Sequence, residues 1–146
     1  MSAKVIAILL GGVLPALLLG LTGVFQKLST NARIGTGPFL IGAGITTAIV
    51  GGIFLLLERD STISQKSALY TVLFGLVWAT AIGCIGIALR RYDGQISQLV
   101  PLYNMNTLVA VLIGLVVLAE WRTVDPRKLA VAAILIVIGG VLASRA

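Results

Sequence analysis

The chain contains no histidine and only one cysteine, Cys84, among its 146 residues. Histidine is a common general base and metal ligand, so its absence removes the usual metalloenzyme and acid–base chemistry. A single cysteine excludes an intrachain disulfide, and because Cys84 lies inside an apolar run we interpret it as a small packing residue. The sequence shows no nucleophile–base pair and no metal-ligand spacing, so we expect no enzyme activity, no metal and no cofactor.

Charged side chains are scarce as well. They make up 11% of the residues, against about 25% in a soluble domain, whereas 58% are hydrophobic. The apolar residues fall into runs of roughly 20, each long enough to cross the ~30 Å hydrocarbon core of a bilayer. We therefore predict an all-α integral membrane protein, folded as a single five-helix transmembrane domain over residues 1–146. The predicted helices cover about residues 5–27, 37–57, 67–89, 95–119 and 126–144.

The formal net charge of +6 is spread over loops and helix ends. It forms no basic run and no aromatic–basic pattern, so we expect no nucleic-acid partner. Cations at the ends of apolar helices are typical of anchors to lipid headgroups. We expect a multi-pass protein of a cell membrane or bacterial inner membrane.

The first predicted helix has its polar groups and its kink signal on one face. The residues of that face are spaced by 4, 7 and 4 positions, as one side of a helix requires, and they are Gly11, Pro15, Thr22 and Gln26. Proline inside a membrane helix frees a carbonyl and permits bending, so we predict a hinge at Pro15, Gly20 and Gly23. Two interpretations of the face are open: a cavity wall, or a close glycine contact with another helix.

The third predicted helix contributes two aromatic side chains, Tyr70 and Trp78, to one third of its circumference. Tyr70 lies near the end of the span, where aromatic residues form interfacial belts. Trp78 lies near the middle, where its indole N–H needs a hydrogen-bond partner. We predict a pocket role for Trp78, with plain packing as the alternative, and include Tyr70 in the candidate site.

The fourth predicted helix combines an amide-rich first half with an apolar second half. An amide without a partner is costly in hydrocarbon, so such side chains usually face the bundle interior or a wet cavity. On a helical wheel the polar groups fall on two opposite sides, and the side that meets a substrate is open. One side has Gln95, Gln98, Tyr103 and Asn106, and the other has Ser97, Pro101 and Asn104.

The second and fifth predicted helices carry little polarity. Thr46 and Thr47 of the second helix are expected to bond back to carbonyls of their own helix. The fifth helix has no polar side chain in its middle. It carries two pairs of small residues four apart, Gly139/Ala143 and Gly140/Ser144, which favour helix packing or dimerisation.

The distribution of Lys and Arg gives almost no orientation signal. With five spans, the eleven cations divide six to five between the two sides of the membrane. One side has Lys4, Arg59, Lys66, Arg122, Arg127 and Lys128, and the other has Lys27, Arg33, Arg90, Arg91 and Arg145. The positive-inside rule needs an asymmetry, so this near-tie predicts dual topology, with copies inserted both ways. The alternative is one orientation set by weak cues or by a partner.

Several local patterns follow one another in a recognisable order. They are the Ala88-Leu89-Arg90 turn, Pro101 in the fourth helix, the Leu118-Ala119-Glu120 end and the Gly139-Gly140-Val141-Leu142 segment. With these features, residues 83–145 resemble the C-terminal part of an EamA-like domain of the drug/metabolite transporter superfamily. The stretch LLLGLTGVFQKLS, with Lys27 near its end, is similar to the first helix of that family.

The resemblance implies a fold and a candidate site. The usual family member has ten helices in two inverted halves of five, so this chain resembles one half and would need an antiparallel homodimer to rebuild the whole. This agrees with the cation count. In the family the first, third and fourth helices of each half line the central cavity. By resemblance, the candidate substrate-binding residues are Thr22, Gln26, Tyr70, Trp78, Gln98, Tyr103, Asn104 and Asn106.

The polar pattern and the resemblance together predict a transporter of small organic solutes or metabolites that works by alternating access. No carboxylate lies inside a span, so we expect facilitated movement or exchange rather than carboxylate-driven proton antiport. Two other hypotheses are open. One is a flippase for a lipid-linked carrier, with Arg90 and Arg91 at the headgroup. The other is a non-transporting membrane scaffold or subunit. The expected partners are a small-molecule substrate, the lipid bilayer and a second copy of the chain.

Overall fold

A computed structural model describes residues 3–117, 119 and 124–145 of the chain. Every regular element in this part of the chain is helical. The chain divides into two compact units, Met1–Asp93 and Gly94–Ala146. The Leu118-Ala119-Glu120 end of the fourth predicted helix and the residues Trp121 and Arg122 fall largely outside the described residues.

The first span is interrupted close to Pro15. Helix α1 covers Ala3–Ile8, a π-helical turn covers Leu9–Val13, and helix α2 covers Leu14–Asn31. Within the turn, the Leu14 N–H donates to the Leu9 carbonyl, five residues back. Pro15 has no N–H and its ring clashes with the carbonyl four residues before it, so a wider turn here avoids the clash. The irregularity therefore precedes Pro15, whereas α2 runs as a regular helix through Gly20 and Gly23.

The other two helices of the first unit are long, and the second of them has a side-chain cap at its start. Helix α3 covers Thr36–Glu58 and helix α4 covers Gln65–Arg91. Ser64 and Ser67 form a capping box at the start of α4: Ser64 Oγ accepts from Ser67 N at 3.1 Å and Ser67 Oγ accepts from Ser64 N at 2.9 Å. In α3, Thr46 Oγ1 and Thr47 Oγ1 donate to the carbonyls four residues back, at 2.9 and 2.8 Å, which confirms that prediction.

Helix α4 packs against both α2 and α3, and glycines set the closeness of the approach. A Cβ at Gly83 would lie 3.4 Å from Leu40 Cδ1, and one at Gly86 would lie 3.3 Å from Thr36 Cγ2. Small residues let helix backbones approach closely where lipid removes the hydrophobic drive for association. The only buried hydrophobic side chain among the described residues, Leu89, lies on this helix.

The turn after α2 ends the helix with a Schellman arrangement. Arg33 N donates to the Thr30 carbonyl at 2.9 Å and Ile34 N donates to the Ser29 carbonyl at 3.3 Å. This arrangement requires a left-handed backbone at the residue directly after the C-cap, and Arg33 has that conformation with a φ of 67°. Glycine is the usual residue at this position, and another L-residue costs roughly 1–2 kcal/mol there.

The second unit contains helices α5 (Ile96–Tyr103), α6 (Asn106–Val116) and α7 (Pro126–Ser144). Both α5 and α6 pack against α7. Asp125 caps α7 by accepting from Arg127 N at 3.0 Å and from Lys128 N at 3.4 Å. The fourth predicted helix is therefore not continuous, because a turn at residues 104–105 divides it.

Four helical stretches are long and apolar enough to cross a membrane: Val5–Asn31, Thr36–Glu58, Gln65–Arg91 and Ile96–Val116. No more than 17% of the most apolar window in any of them is buried inside the chain. These four stretches bear out the coarse expectation of an all-helical membrane protein.

The two adjacent glycines of α7 make a matched test of packing in the second unit. A Cβ at Gly140 would lie 3.0 Å from Met105 Sδ and 3.3 Å from the Pro101 carbonyl oxygen, whereas one at Gly139 meets nothing within 4 Å. We expect Gly140→Leu to destabilise the unit by about 1–3 kcal/mol through overpacking, and Gly139→Leu to have a much smaller effect. Thermal unfolding of the purified chain in detergent measures both, and equal midpoints would contradict this packing.

Candidate functional site

One polar side chain, Gln26, is buried between the helices of the first unit. It is only 5% exposed, and its Nε2 donates to the Ile82 carbonyl of α4 at 3.0 Å. Gly86 lies beside this bond, since a Cβ there would be 3.6 Å from Gln26 Nε2. The missing side chain gives the amide access to the α4 backbone. Gln26 therefore joins α2 to α4, a structural task that competes with binding a substrate.

The space around this amide is very small. A cavity of ≈ 10 Å³ lies against Gln26, and its lining consists of Gln26, Thr30, Ile34, Gly35, Thr36, Phe39 and Gly86. One water needs roughly 10–15 Å³ on the same measure. The cavity is therefore at the lower limit for a single water and is too small for an organic solute.

The other three candidate residues of the first unit lie on its surface. Thr22 is exposed, and its Oγ1 donates to the Leu19 carbonyl of its own helix at 2.6 Å. Tyr70 and Trp78 are 68% and 40% exposed on α4. The predicted pocket for Trp78 is thus not enclosed by the first unit alone. Its open face is free for lipid, solute or another protein surface.

The polar residues of the fourth span lie around the break between α5 and α6. Gln98 and Tyr103 are half-buried, whereas Asn104 and Asn106 are both exposed. The helical wheel placed these two asparagines on opposite sides of one continuous helix. The turn at residues 104–105 interrupts that helix, and both asparagines are exposed.

Short-range hydrogen bonds hold the break in place. Met105 N donates to the Leu102 carbonyl at 3.1 Å, Thr107 N to the Asn104 carbonyl at 3.2 Å and Leu108 N to the Met105 carbonyl at 3.0 Å. All three span three residues, as in a 3₁₀ turn, whereas an α-helix spans four. Pro101 contributes because it has no N–H for the Ser97 carbonyl. The sequence contained the signal, a proline three residues before Asn-Met-Asn. Hydrophobic periodicity alone predicts one uninterrupted helix here.

A second, wider cleft lies at the end of the first unit where α2 and α4 finish. Its volume is ≈ 380 Å³, and its lining consists of Lys27, Thr30, Asn31, Arg33, Leu89, Arg90 and Asp93. Of the arginine pair proposed for a headgroup, only Arg90 lines it. The sequence did not indicate that Lys27, Arg33 and Asp93 share a cleft, because up to two helices separate them along the chain.

The eight candidate substrate residues divide equally between the two units. Thr22, Gln26, Tyr70 and Trp78 belong to Met1–Asp93, and the other four belong to Gly94–Ala146. Among the described residues, no group of three or more His, Cys, Asp or Glu side chains is placed to hold a metal ion.

The buried amide allows a test of its structural role. Gln26→Met keeps the length of the side chain but removes the hydrogen bond to Ile82. We expect a loss of about 1 kcal/mol, the typical worth of such a bond between membrane helices, read as a lower thermal midpoint in detergent. Thr22→Val, one turn earlier and bonded only within its own helix, is the control. An unchanged midpoint for Gln26→Met would remove the structural role.

Comparison of the chain with protein-family models, with curated proteins and with solved structures gives no significant match in any of the three.

Proposed function

We propose that the chain is a half-size transporter of the drug/metabolite type that moves a small organic solute by alternating access. The observation that carries this proposal is the broken fourth span. Within Ile96–Val116, the helix stops at Tyr103 and restarts at Asn106, and Asn104 and Asn106 at the break are exposed. The resemblance of residues 83–145 to an EamA-like half-domain supports the same class.

A break of this kind has a functional meaning in a membrane. Non-helical backbone at membrane depth is tolerated only where it is buried in protein or lines a water-filled cavity. Secondary transporters use such discontinuous helices to bind their solutes near the midplane. Two exposed amides beside the break provide neutral donors and acceptors for a polar solute. The same groups facing lipid tails would lose their hydrogen bonds to water without replacement.

The proposed assembly is an antiparallel homodimer of five-helix chains. Helix α7 has 19 residues, which rise about 28 Å at ~1.5 Å per residue, close to the ~30 Å hydrocarbon core. As a fifth span it would put the two ends of the chain on opposite sides. The spans bury at most 17% of their most apolar windows within the chain, so a large apolar surface is open to lipid and to a second copy.

The distribution of acidic residues bears on how transport would be driven. Four of the five lie in loops or at helix ends, and they are Glu58, Asp60, Asp93 and Asp125. The fifth, Glu120, lies outside the described residues. A carboxylate relay through the membrane would need at least one such group inside a span. Facilitated movement or exchange is therefore the proposed mode.

A second candidate function is a flippase for a lipid-linked carrier. The cleft of ≈ 380 Å³ at the end of α2 and α4, with Arg90 in its lining, favours this alternative. A headgroup at the membrane surface is where such a cleft would act. Movement of a fluorescent phospholipid between leaflets, without release of soluble solutes, would favour the flippase over the transporter.

Transport is testable in liposomes loaded with a defined mixture of amino acids, sugars and amines, with release followed by mass spectrometry. We expect liposomes that contain the chain to release at least one solute faster than protein-free liposomes loaded with the same mixture. Asn106→Leu and Trp78→Ala should slow release at least about tenfold, equivalent to ~1.4 kcal/mol, because they remove polar and aromatic contacts.

The control for these variants is the double change Thr46→Val and Thr47→Val, since both hydroxyls are already bonded to α3. All proteins are compared at equal insertion, judged by protease protection and yield. Normal solute release by both site variants would contradict the proposed site. No release by the unmodified chain would favour the scaffold hypothesis.

Orientation is testable separately in intact cells. Cys84 is exposed, so it is first replaced by serine, and single cysteines are then introduced at Lys4 and at Arg145. Because the cations divide six to five, we expect each position to be labelled by an impermeant maleimide from both sides of the membrane. Labelling of each position from one side only would rule out dual topology.

A further inference from the structure

The geometry of the cleft between the ends of α2 and α4 points to a binding site for a phosphoryl anion, a phosphate monoester or diester. The site lies within the first unit and uses none of the polar residues at the broken span. It goes beyond the proposed transport function and does not rest on it. A lipid headgroup and a soluble phosphorylated solute are the two sources of this chemistry.

The charge of the lining favours an anion with more than one negative charge. The lining contains three positive side chains, Lys27, Arg33 and Arg90, and one carboxylate, Asp93, which leaves a formal charge of +2. A phosphate monoester carries about −1.5 to −2 near neutral pH. Within the described part of the chain, neither Arg33 nor Arg90 forms an ion pair with a carboxylate. Their guanidinium groups therefore keep their donors for a ligand.

The donor set also suits phosphate. Guanidinium groups match phosphate oxygens in a two-point fork, and Asn31 adds an amide to the same lining. The Thr30 hydroxyl, also in the lining, already donates to the Gln26 carbonyl at 2.9 Å. The volume of ≈ 380 Å³ is within the range of about 300–1,000 Å³ for small-molecule pockets. A phosphate with one short organic substituent fits this space.

Two charged residues of the lining have an unfavourable, left-handed backbone conformation. Arg33 follows α2 with a φ of 67°, and Asp93 follows α4 with a φ of 51°. Both are left-handed positions after a helix, where glycine is the usual residue. Both are occupied by charged side chains that line the cleft. Left-handed non-glycine residues are concentrated at functional sites.

The position of the cleft in the membrane explains why it can hold charge. The C-terminal ends of α2 and α4 meet the start of α3 here: a Cβ at Gly35 would lie 3.6 Å from Arg90 Nη1. The ends of membrane-spanning helices lie at the level of the lipid headgroups. Phosphate groups are abundant at that level, and water still screens the cations.

The competing role for these cations is to stabilise two helix ends. Carbonyl groups at a helix C-terminus carry partial negative charge and favour Lys and Arg nearby. That role predicts lower stability on neutralisation and no ligand. The backbone bonds of the Schellman arrangement already satisfy the Ser29 and Thr30 carbonyls, so the Arg33 side chain is not needed for that purpose.

The test uses the full chain in an uncharged detergent at low ionic strength. Calorimetric titration with glycerol 3-phosphate, against glycerol, probes the soluble source. Native mass spectrometry with phosphatidylglycerol, against phosphatidylcholine, probes the lipid source. We expect saturable binding of at least one phosphate compound and none of its uncharged or zwitterionic counterpart.

Three variants are expected to change the binding affinity in different directions. Arg33→Gly and Arg90→Gln should each weaken binding about tenfold, because each removes a charge-assisted contact. Arg33→Gly should at the same time raise the thermal midpoint, since glycine relieves the left-handed position. Asp93→Asn should tighten binding several-fold, because it removes the repelling carboxylate while asparagine tolerates the same backbone.

The control is Arg59→Gln with Lys66→Gln, which removes two exposed cations at the opposite end of the same unit. Binding of glycerol 3-phosphate supports a soluble ligand, and binding of phosphatidylglycerol alone supports a headgroup. Binding that falls equally in the control, that ignores Arg33 and Arg90, or that is absent for both probes would overturn the site.

Discussion

Hydrogen bonding in a medium without water is the constraint on which this structure depends. Lipid tails offer no partner, so each polar group within a span has to be satisfied by the protein or by a cavity. The chain meets this in three ways. Threonines bond to their own helix, as Thr80 Oγ1 does to the Leu76 carbonyl at 2.8 Å. Gln26 reaches a carbonyl of a neighbouring helix. Asn104 and Asn106 stay exposed at a break.

The Gln26 bond and the glycines of α4 form one packing unit. A carbonyl inside a helix already accepts a bond from its own helix, so a second donor must come from the side and at close range. Gly86 permits this approach, and Gly83 lets α3 come near on the adjacent turn. The first unit is thereby held by backbone proximity and one amide, rather than by buried apolar side chains. This is the expected balance for helices whose apolar faces gain little by leaving lipid.

The sequence predicted the parts of the fold that depend on composition. Apolar runs of the right length gave the all-helical class and four of the spans, and the back-bonding of Thr46 and Thr47 followed from their type and place. The position and form of two irregularities were not predicted, because they depend on local backbone geometry. The Leu9–Val13 turn responds to Pro15 from the preceding side, and the 104–105 turn responds to Pro101 several residues later. In both cases the proline was noted, but its effect appears where the hydrogen-bond ladder has to be rebuilt.

The candidate site shows the same division. Polarity distinguished these side chains from the apolar background, but it did not distinguish a structural role from a binding role. Gln26 and Trp78 were both selected as polar groups of a predicted span. In the structure, Gln26 Nε2 donates to the Ile82 carbonyl whereas Trp78 is 40% exposed. The basic cleft escaped notice because its residues come from two helix ends and their following turns. Only the return of α4 to the end of α2 makes Arg33 and Arg90 neighbours of one cleft.

The two polar regions of the chain also differ in what they can hold. Moving an unpaired ion into the membrane interior costs several kcal/mol even after relaxation, whereas at the headgroup level water lowers the cost. All cations of the described spans lie at or near helix ends: Lys27, Lys66, Arg90 and Arg91. The break in the fourth span offers only neutral amides. An anion held at the cleft would therefore find no counter-charge at the break, and a solute that uses the break has to be uncharged or bring its own counter-ion. The cleft and the break thus offer different chemistry to a ligand, even if both act in one protein.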